Sequence, residues 1–82
     1  MRIVWDEPKR LANKAKHGLD FADIWDFGWE NALIAPTYNN RFKAIGSFRG
    51  KGAVVIYANM GKEAVSIIGF RPAGKAERKK YL

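Results

Sequence analysis

The sequence predicts an α+β fold in which helices pack on one face of a small, largely antiparallel sheet. Three observations carry that prediction. Apolar residues at helical spacing, with their capping signals, are confined to the first third of the chain. Runs of β-branched and aromatic residues separated by Gly- and Asn-bearing turns fill residues 41 to 70, and a short basic stretch with helical composition closes the chain.

Arg2-Ile3-Val4-Trp5 is short, β-branched and aromatic, and reads as a strand. Asp6 ends it and is placed to cap a helix from Glu7 to Lys16. Glu7 sets a carboxylate at the positive helix end, and Pro8 gives up an amide that a first turn does not need. Leu11, Ala12 and Ala15 make only a thin apolar stripe, so this helix needs neighbours. Gly18 supplies the left-handed residue that ends helices, leaving Lys16 and His17 among the unpaired carbonyls of the last turn. Asp20 then caps a second short helix, with Phe21, Ile24 and Trp25 on one face and Gly28 closing it. Trp25, Phe27 and Trp29 carry more aromatic surface than one short helix buries, which points to a core wedge or a partner-binding patch.

A strand over 31–35 and a turn over Pro36-Thr37-Tyr38-Asn39-Asn40 come next. Arg41 to Phe48 alternates, with Arg41, Lys43, Ile45 and Ser47 on one face and Phe42, Ala44, Gly46 and Phe48 on the other. Gly50-Lys51-Gly52 turns the chain into Ala53 to Ala58, whose unbroken apolarity suits a central strand buried on both faces. After a loop at Asn59 to Lys62, Ala64 to Phe70 forms the last strand and delivers Arg71 at its exit, where Pro72 and Gly74 break the ladder. Lys75 to Leu82 reads as a basic terminal helix.

An 82-residue chain is one domain, 1–82, with a small core, so added surface from a second copy or a partner is expected. Cysteine is absent and histidine occurs once, which leaves no disulfide, thiolate zinc site or thiol nucleophile and predicts chemistry without metal or cofactor. No apolar run approaches the roughly 18 residues of a membrane span, and the start lacks the pattern of a signal peptide. A cytoplasmic protein away from membranes is expected. Fifteen Lys and Arg against eight Asp and Glu give a formal charge of +7, a field that favours a polyanion, with nucleic acid first among the candidates.

Candidate chemistry rests on cations and one imidazole. His17 is either a proton-handling group or a cap on helix-end carbonyls. Arg71 either grips a phosphate with its planar fork or pairs with Asp6, Glu7 or Glu77. Arg41 and Lys43 share a strand face that suits a backbone-tracking groove or is simply solvated. Lys75, Arg78, Lys79 and Lys80 form the densest charge run, and Tyr81 beside them offers a ring for stacking or for packing. No Walker-type loop, paired-histidine helix or isolated carboxylate pair is present. The set matches cleavage of RNA by its own 2′-hydroxyl, where the protein need only orient the nucleophile, neutralise charge on the phosphorane and shuttle protons.

Four segments in order also resemble the BrnT toxins of bacterial type II toxin–antitoxin modules. These are Trp5-Asp6 with Lys9 and Asn13-x-x-Lys16-His17-Gly18-x-x-Phe21, Arg41 to Gly46, Val54 to Tyr57, and Ile67-Ile68-x-x-Arg71-x-Ala73-x-x-x-Glu77-Arg78-x-x-Tyr81. The chain departs from the family in having Gly69-Phe70 where Ser-Ala often precedes the late arginine, and Gly74 where a threonine often follows. The resemblance implies a RelE-like ribonuclease that cuts RNA, blocks translation and arrests growth. It further implies a cognate BrnA-like antitoxin that hides the active surface, DNA binding only through the toxin–antitoxin complex, and homo- or hetero-oligomers. Carried onto this sequence, it marks Lys16, His17, Arg41, Arg71 and Tyr81 as catalytic, with Glu77 and Arg78 second, since an ion pair explains those two as well. From the basic strand face and terminal charge run, Lys43, Arg78, Lys79 and Lys80 are expected to hold substrate. Two other readings remain open: a non-catalytic nucleic-acid-binding or regulatory domain, and an interaction module built on Trp25, Phe27 and Trp29.

Overall fold

The computed structural model describes residues 2–81. The chain runs through β1 (Arg2–Trp5), α1 (Glu7–His17), two 3-10 helices (Phe21–Asp26 and Trp29–Asn31), β2 (Leu33–Pro36), β3 (Arg41–Phe48), β4 (Lys51–Met60), β5 (Ala64–Pro72) and α2 (Lys75–Tyr81). The strands form one sheet ordered β1-β5-β4-β3-β2, antiparallel throughout except where β1 lies parallel to β5. The expected end of the terminal helix at Leu82 lies outside the described residues.

Local chemistry explains the element ends. The Asp6 side chain accepts the Lys9 N–H at 3.3 Å, and Gly18 (φ 75°) closes α1 by donating to the Lys14 carbonyl at 2.9 Å. Asp20 caps the next segment as expected, accepting from the Ala22 N–H at 2.9 Å, but that segment winds as a 3-10 helix and ends at Asp26. The β3–β4 connection is a two-residue turn with Arg49 (φ 51°) and Gly50 (φ 82°) both left-handed, the pattern of a type I′ hairpin. It falls one residue before the expected Gly50-Lys51-Gly52, because Lys51 and Gly52 already pair with Phe48 and Ser47. Similarly, β4 extends far enough for β5 to continue through Pro72, so Arg71 sits inside the strand opposite Val54 and not at its exit.

One face of the sheet carries the main core. Phe21 and Ile24 of the first 3-10 helix and Phe27 just after it pack with Ala44, Phe48, Val55, Ile67 and Phe70. Phe27 is the wedge that the aromatic cluster suggested: it is 3% exposed and meets Trp29 and Phe70 edge-on at centroid distances of 4.9 and 6.3 Å. Trp29 packs against this core, whereas Trp25 stays 64% exposed. Gly46 is what lets Phe27 in, since a Cβ there would lie 2.8 Å from the ring.

The helices are divided between positions. With its thin stripe, α1 has no fully buried residue, and it is tied to β5 mainly through Asn13. Pairing between β1 and β5 stops at Trp5 and Ile67. Beyond that point the Asn13 amide donates to the Phe70 carbonyl at 2.7 Å and accepts the Phe70 N–H at 3.1 Å, completing the edge as a strand residue would. The same amide nitrogen reaches the Leu19 carbonyl at 3.0 Å. By contrast, α2 lies against the opposite face, where Tyr81 packs on a second cluster of Ile45, Val54 and Ala73.

Candidate active site

The alternation of β3 sends Arg41 and Lys43 to the face away from the main core, and Val54, Ile56 and Arg71 share that face on β4 and β5. Asn13 holds the end of α1 beside the same stretch of β5. A bulge at Ile68, where the register slips between Ile56 and Tyr57, adds local twist just before Arg71. The outcome is a groove of about 510 Å³ walled by Lys16 and His17 from α1, Arg41 from β3 and Arg71 from β5, with Ile56 and Ile68 in its lining. Lys9 and Tyr38 also line it. A smaller space of about 280 Å³ shares Tyr38, Arg41, Ile56 and Arg71 and extends to Lys43 and Thr37. Among the described residues, no carboxylate lines either space.

Arg71 is held by one of the carboxylates named as alternatives. Its Nη1 and Nη2 each donate to Glu77 at 2.8 Å, and Nη1 also donates to the Pro72 carbonyl at 3.3 Å. Counting donors, that uses three of the five guanidinium N–H groups and leaves Nε–H and one Nη2–H, the side-on fork that fits a phosphate. Glu77 also accepts from Lys43 Nζ at 3.2 Å and from the Gly74 N–H at 2.8 Å, the second bond closing the start of α2. The Arg71 guanidinium first, aided by the Gly74 amide and Lys43, holds the Glu77 carboxyl down at about 2 from an ordinary 4.5, while Glu77 raises Arg71.

A second network fixes the other end of α1. Arg10 donates to both carboxylate oxygens of Asp20 at 3.1 Å and to Glu7 at 2.7 and 2.8 Å. Glu7 lies below the usual carboxylate range chiefly because of Arg10, and Asp20 does so chiefly because of the Ala22 N–H. These carboxylates are therefore spent on structure, and the groove keeps its cations.

Of the residues expected to act, Lys16, His17, Arg41 and Arg71 come together in the groove, and Lys43 borders its extension. Tyr81 and Arg78 do not join them. They line a separate space of about 300 Å³ with Ile45 and Ala73, where the Tyr81 ring serves the packing of α2. Lys79 and Lys80 are exposed on α2. Sequence reasoning missed Tyr38, whose only signal was an aromatic ring in a polar turn just before Arg41, and it missed the part played by Asn13. A larger depression of about 880 Å³ at the β4–β5 turn, lined by Arg2, Met60, Lys62, Glu63 and Ala64, gathers no comparable set.

A small α+β protein with a carboxylate-free cationic groove is built to handle a polyanion. The family model described as the ribonuclease toxin, BrnT, of type II toxin–antitoxin systems matches residues 5–77. The 1.1 Å crystal structure of the Brucella abortus ribonuclease toxin BrnT superposes with a TM-score of 0.83 at 48% identity, covering 92% of this chain and 99% of that one. No curated protein sequence matches the chain. The chain belongs to the BrnT family of type II ribonuclease toxins. Membership gives it an RNA target and an antitoxin partner. Among the described residues, no helix is long and apolar enough to cross a membrane.

Proposed function

We propose that this toxin is a metal-independent endoribonuclease that uses the 2′-hydroxyl of its substrate as nucleophile. One observation carries the reading: Lys16, His17, Arg41 and Arg71, from three different elements, converge on a groove that no carboxylate lines among the described residues. Such a wall neutralises a phosphate and, among the described residues, offers a divalent ion no carboxylate ligand. Arg71, fixed by Glu77, presents its free fork to the scissile phosphate, and Arg41 shares the developing charge. Lys16 and His17 at the end of α1 handle charge and protons. Glu77 is a positioning residue, and Lys43, Arg78, Lys79 and Lys80 track the flanking backbone.

In this reading residues 1–82 act as one cytoplasmic domain. A BrnA-like antitoxin covers the groove, and the toxin meets DNA only within that complex, as a hetero-oligomer. The support is the family assignment together with the excess of cations.

The test is cleavage of a single-stranded RNA in chelator, with growth scored after induction. Arg71→Ala and Arg71→Lys should each lose at least about a hundredfold in kcat/KM. His17→Ala should lose less than Arg71→Ala. Activity that vanishes in chelator and returns with magnesium would refute the mechanism, and salt-sensitive binding without cleavage would favour a non-catalytic domain.

A further inference from the structure

We propose that Tyr38 is a base-stacking platform that restricts this enzyme to RNA whose bases are unpaired at the cleavage point. The inference rests on the groove being the RNA site. Tyr38 is 75% exposed, and among the described residues its hydroxyl has no hydrogen-bond partner, so neither packing nor hydrogen bonding accounts for a ring at this place.

Its backbone, however, is tightly held. Asn39 (φ 60°) and Asn40 (φ 58°) are both left-handed, a conformation that asparagine tolerates better than most side chains. The turn they make is closed by the Arg41 N–H donating to the Tyr38 carbonyl at 3.3 Å and the Thr37 N–H donating to the Arg41 carbonyl at 2.9 Å. The turn thus fixes where the Tyr38 backbone stands relative to Arg41 at the start of β3.

That place is the junction of the groove. Tyr38, Arg41, Ile56 and Arg71 line both the larger space and its extension. A nucleotide with its phosphate on Arg41 and Arg71 therefore has an aromatic face and the apolar Ile56 side chain at hand for the adjoining base. Stacking on a tyrosine ring is open to any base, so it confers no sequence preference by itself. It does require a base that has left its own stack and pair, which a duplex withholds.

The experiment measures binding of a fluorescent 2′-O-methyl oligoribonucleotide, which lacks the nucleophile and stays intact, by anisotropy at fixed salt. Tyr38→Ala should weaken binding about tenfold to a hundredfold, the range of one aromatic–base stack, while Tyr38→Phe stays within about twofold. An abasic position scanned along the oligonucleotide should find one place where the wild type loses a similar factor and Tyr38→Ala loses no more. On cleavable RNA, Tyr38→Ala should raise KM more than it lowers kcat, and a duplex covering the cut should resist the wild type. Because the ring is exposed, Tyr38→Ala should melt within a few degrees of the wild type. Wild-type affinity in Tyr38→Ala, or losses that add at every abasic position, would overturn the proposal. If Arg41→Ala and Arg71→Ala also bind as the wild type does, it is the assignment of the groove to RNA that fails. Loss with the arginine variants alone removes only the stacking role.

Discussion

Replacing Glu77 with Gln keeps the shape of the side chain but removes the charge that three donors share. The folded protein holds the Glu77 carboxyl at about 2 against an ordinary 4.5, a displacement worth at most about 3 kcal/mol at neutral pH. Arg71 and Lys43 are 34% and 31% exposed, so solvent screening trims the loss to about 2 kcal/mol. For a chain of this size that is a fall of about 10 °C in melting temperature at pH 7. The sign of the pH dependence follows from the depressed value. The stabilisation is fully present above about 4.5 and disappears as pH falls toward 2, so wild type and variant should converge over that interval. Glu7 and Asp20 add acid sensitivity to both proteins and cancel from the difference. Paired thermal melts by circular dichroism from pH 7 to pH 2.5 decide the matter. A gap that stays constant over the whole range would refute the assignment of the ion pair as a stabilising element.

Two further predictions concern positions away from the cations. Asn13→Ala removes the bonds to Phe70 and Leu19 and leaves partly buried backbone groups without partners, so stability should fall by about 2–4 kcal/mol in urea titrations. Asn13→Asp should not restore it, because a carboxylate cannot donate to either carbonyl. Gly46→Ala drives a methyl group into the Phe27 ring and should cost about 1–3 kcal/mol, readable as a lower urea midpoint with an unchanged slope. Indifference at Gly46 would mean that Phe27 is not the wedge described.

Much of the fold was legible because its signals are local. Asp6, Gly18 and Asp20 cap what their chemistry says they cap, and β3 starts and ends where alternation places it. What was not legible depends on chain segments far apart in sequence. The length of β5 is set by how far β4 extends, so the local warning of Pro72 misplaced Arg71. The edge-completing bonds of Asn13 depend on where β1 stops, which no window around residue 13 reports. In the candidate site, the convergence of Lys16, His17, Arg41 and Arg71 was visible only through family resemblance. Tyr81 shows the limit of composition: a ring beside basic residues packs on Ile45 and Val54 as readily as it faces a ligand.

The parallel pairing of the first strand with the last has a consequence for synthesis. Arg2 sits opposite Ala64 and Trp5 opposite Ile67, and the groove draws on residues from Lys16 to Arg71. A nascent chain therefore cannot build the groove until Arg71 has been made and has left the ribosome. The cations of α1 and β3 come to face Arg71 only when β5 docks between β1 and β4, so the groove is among the last features of the fold to form.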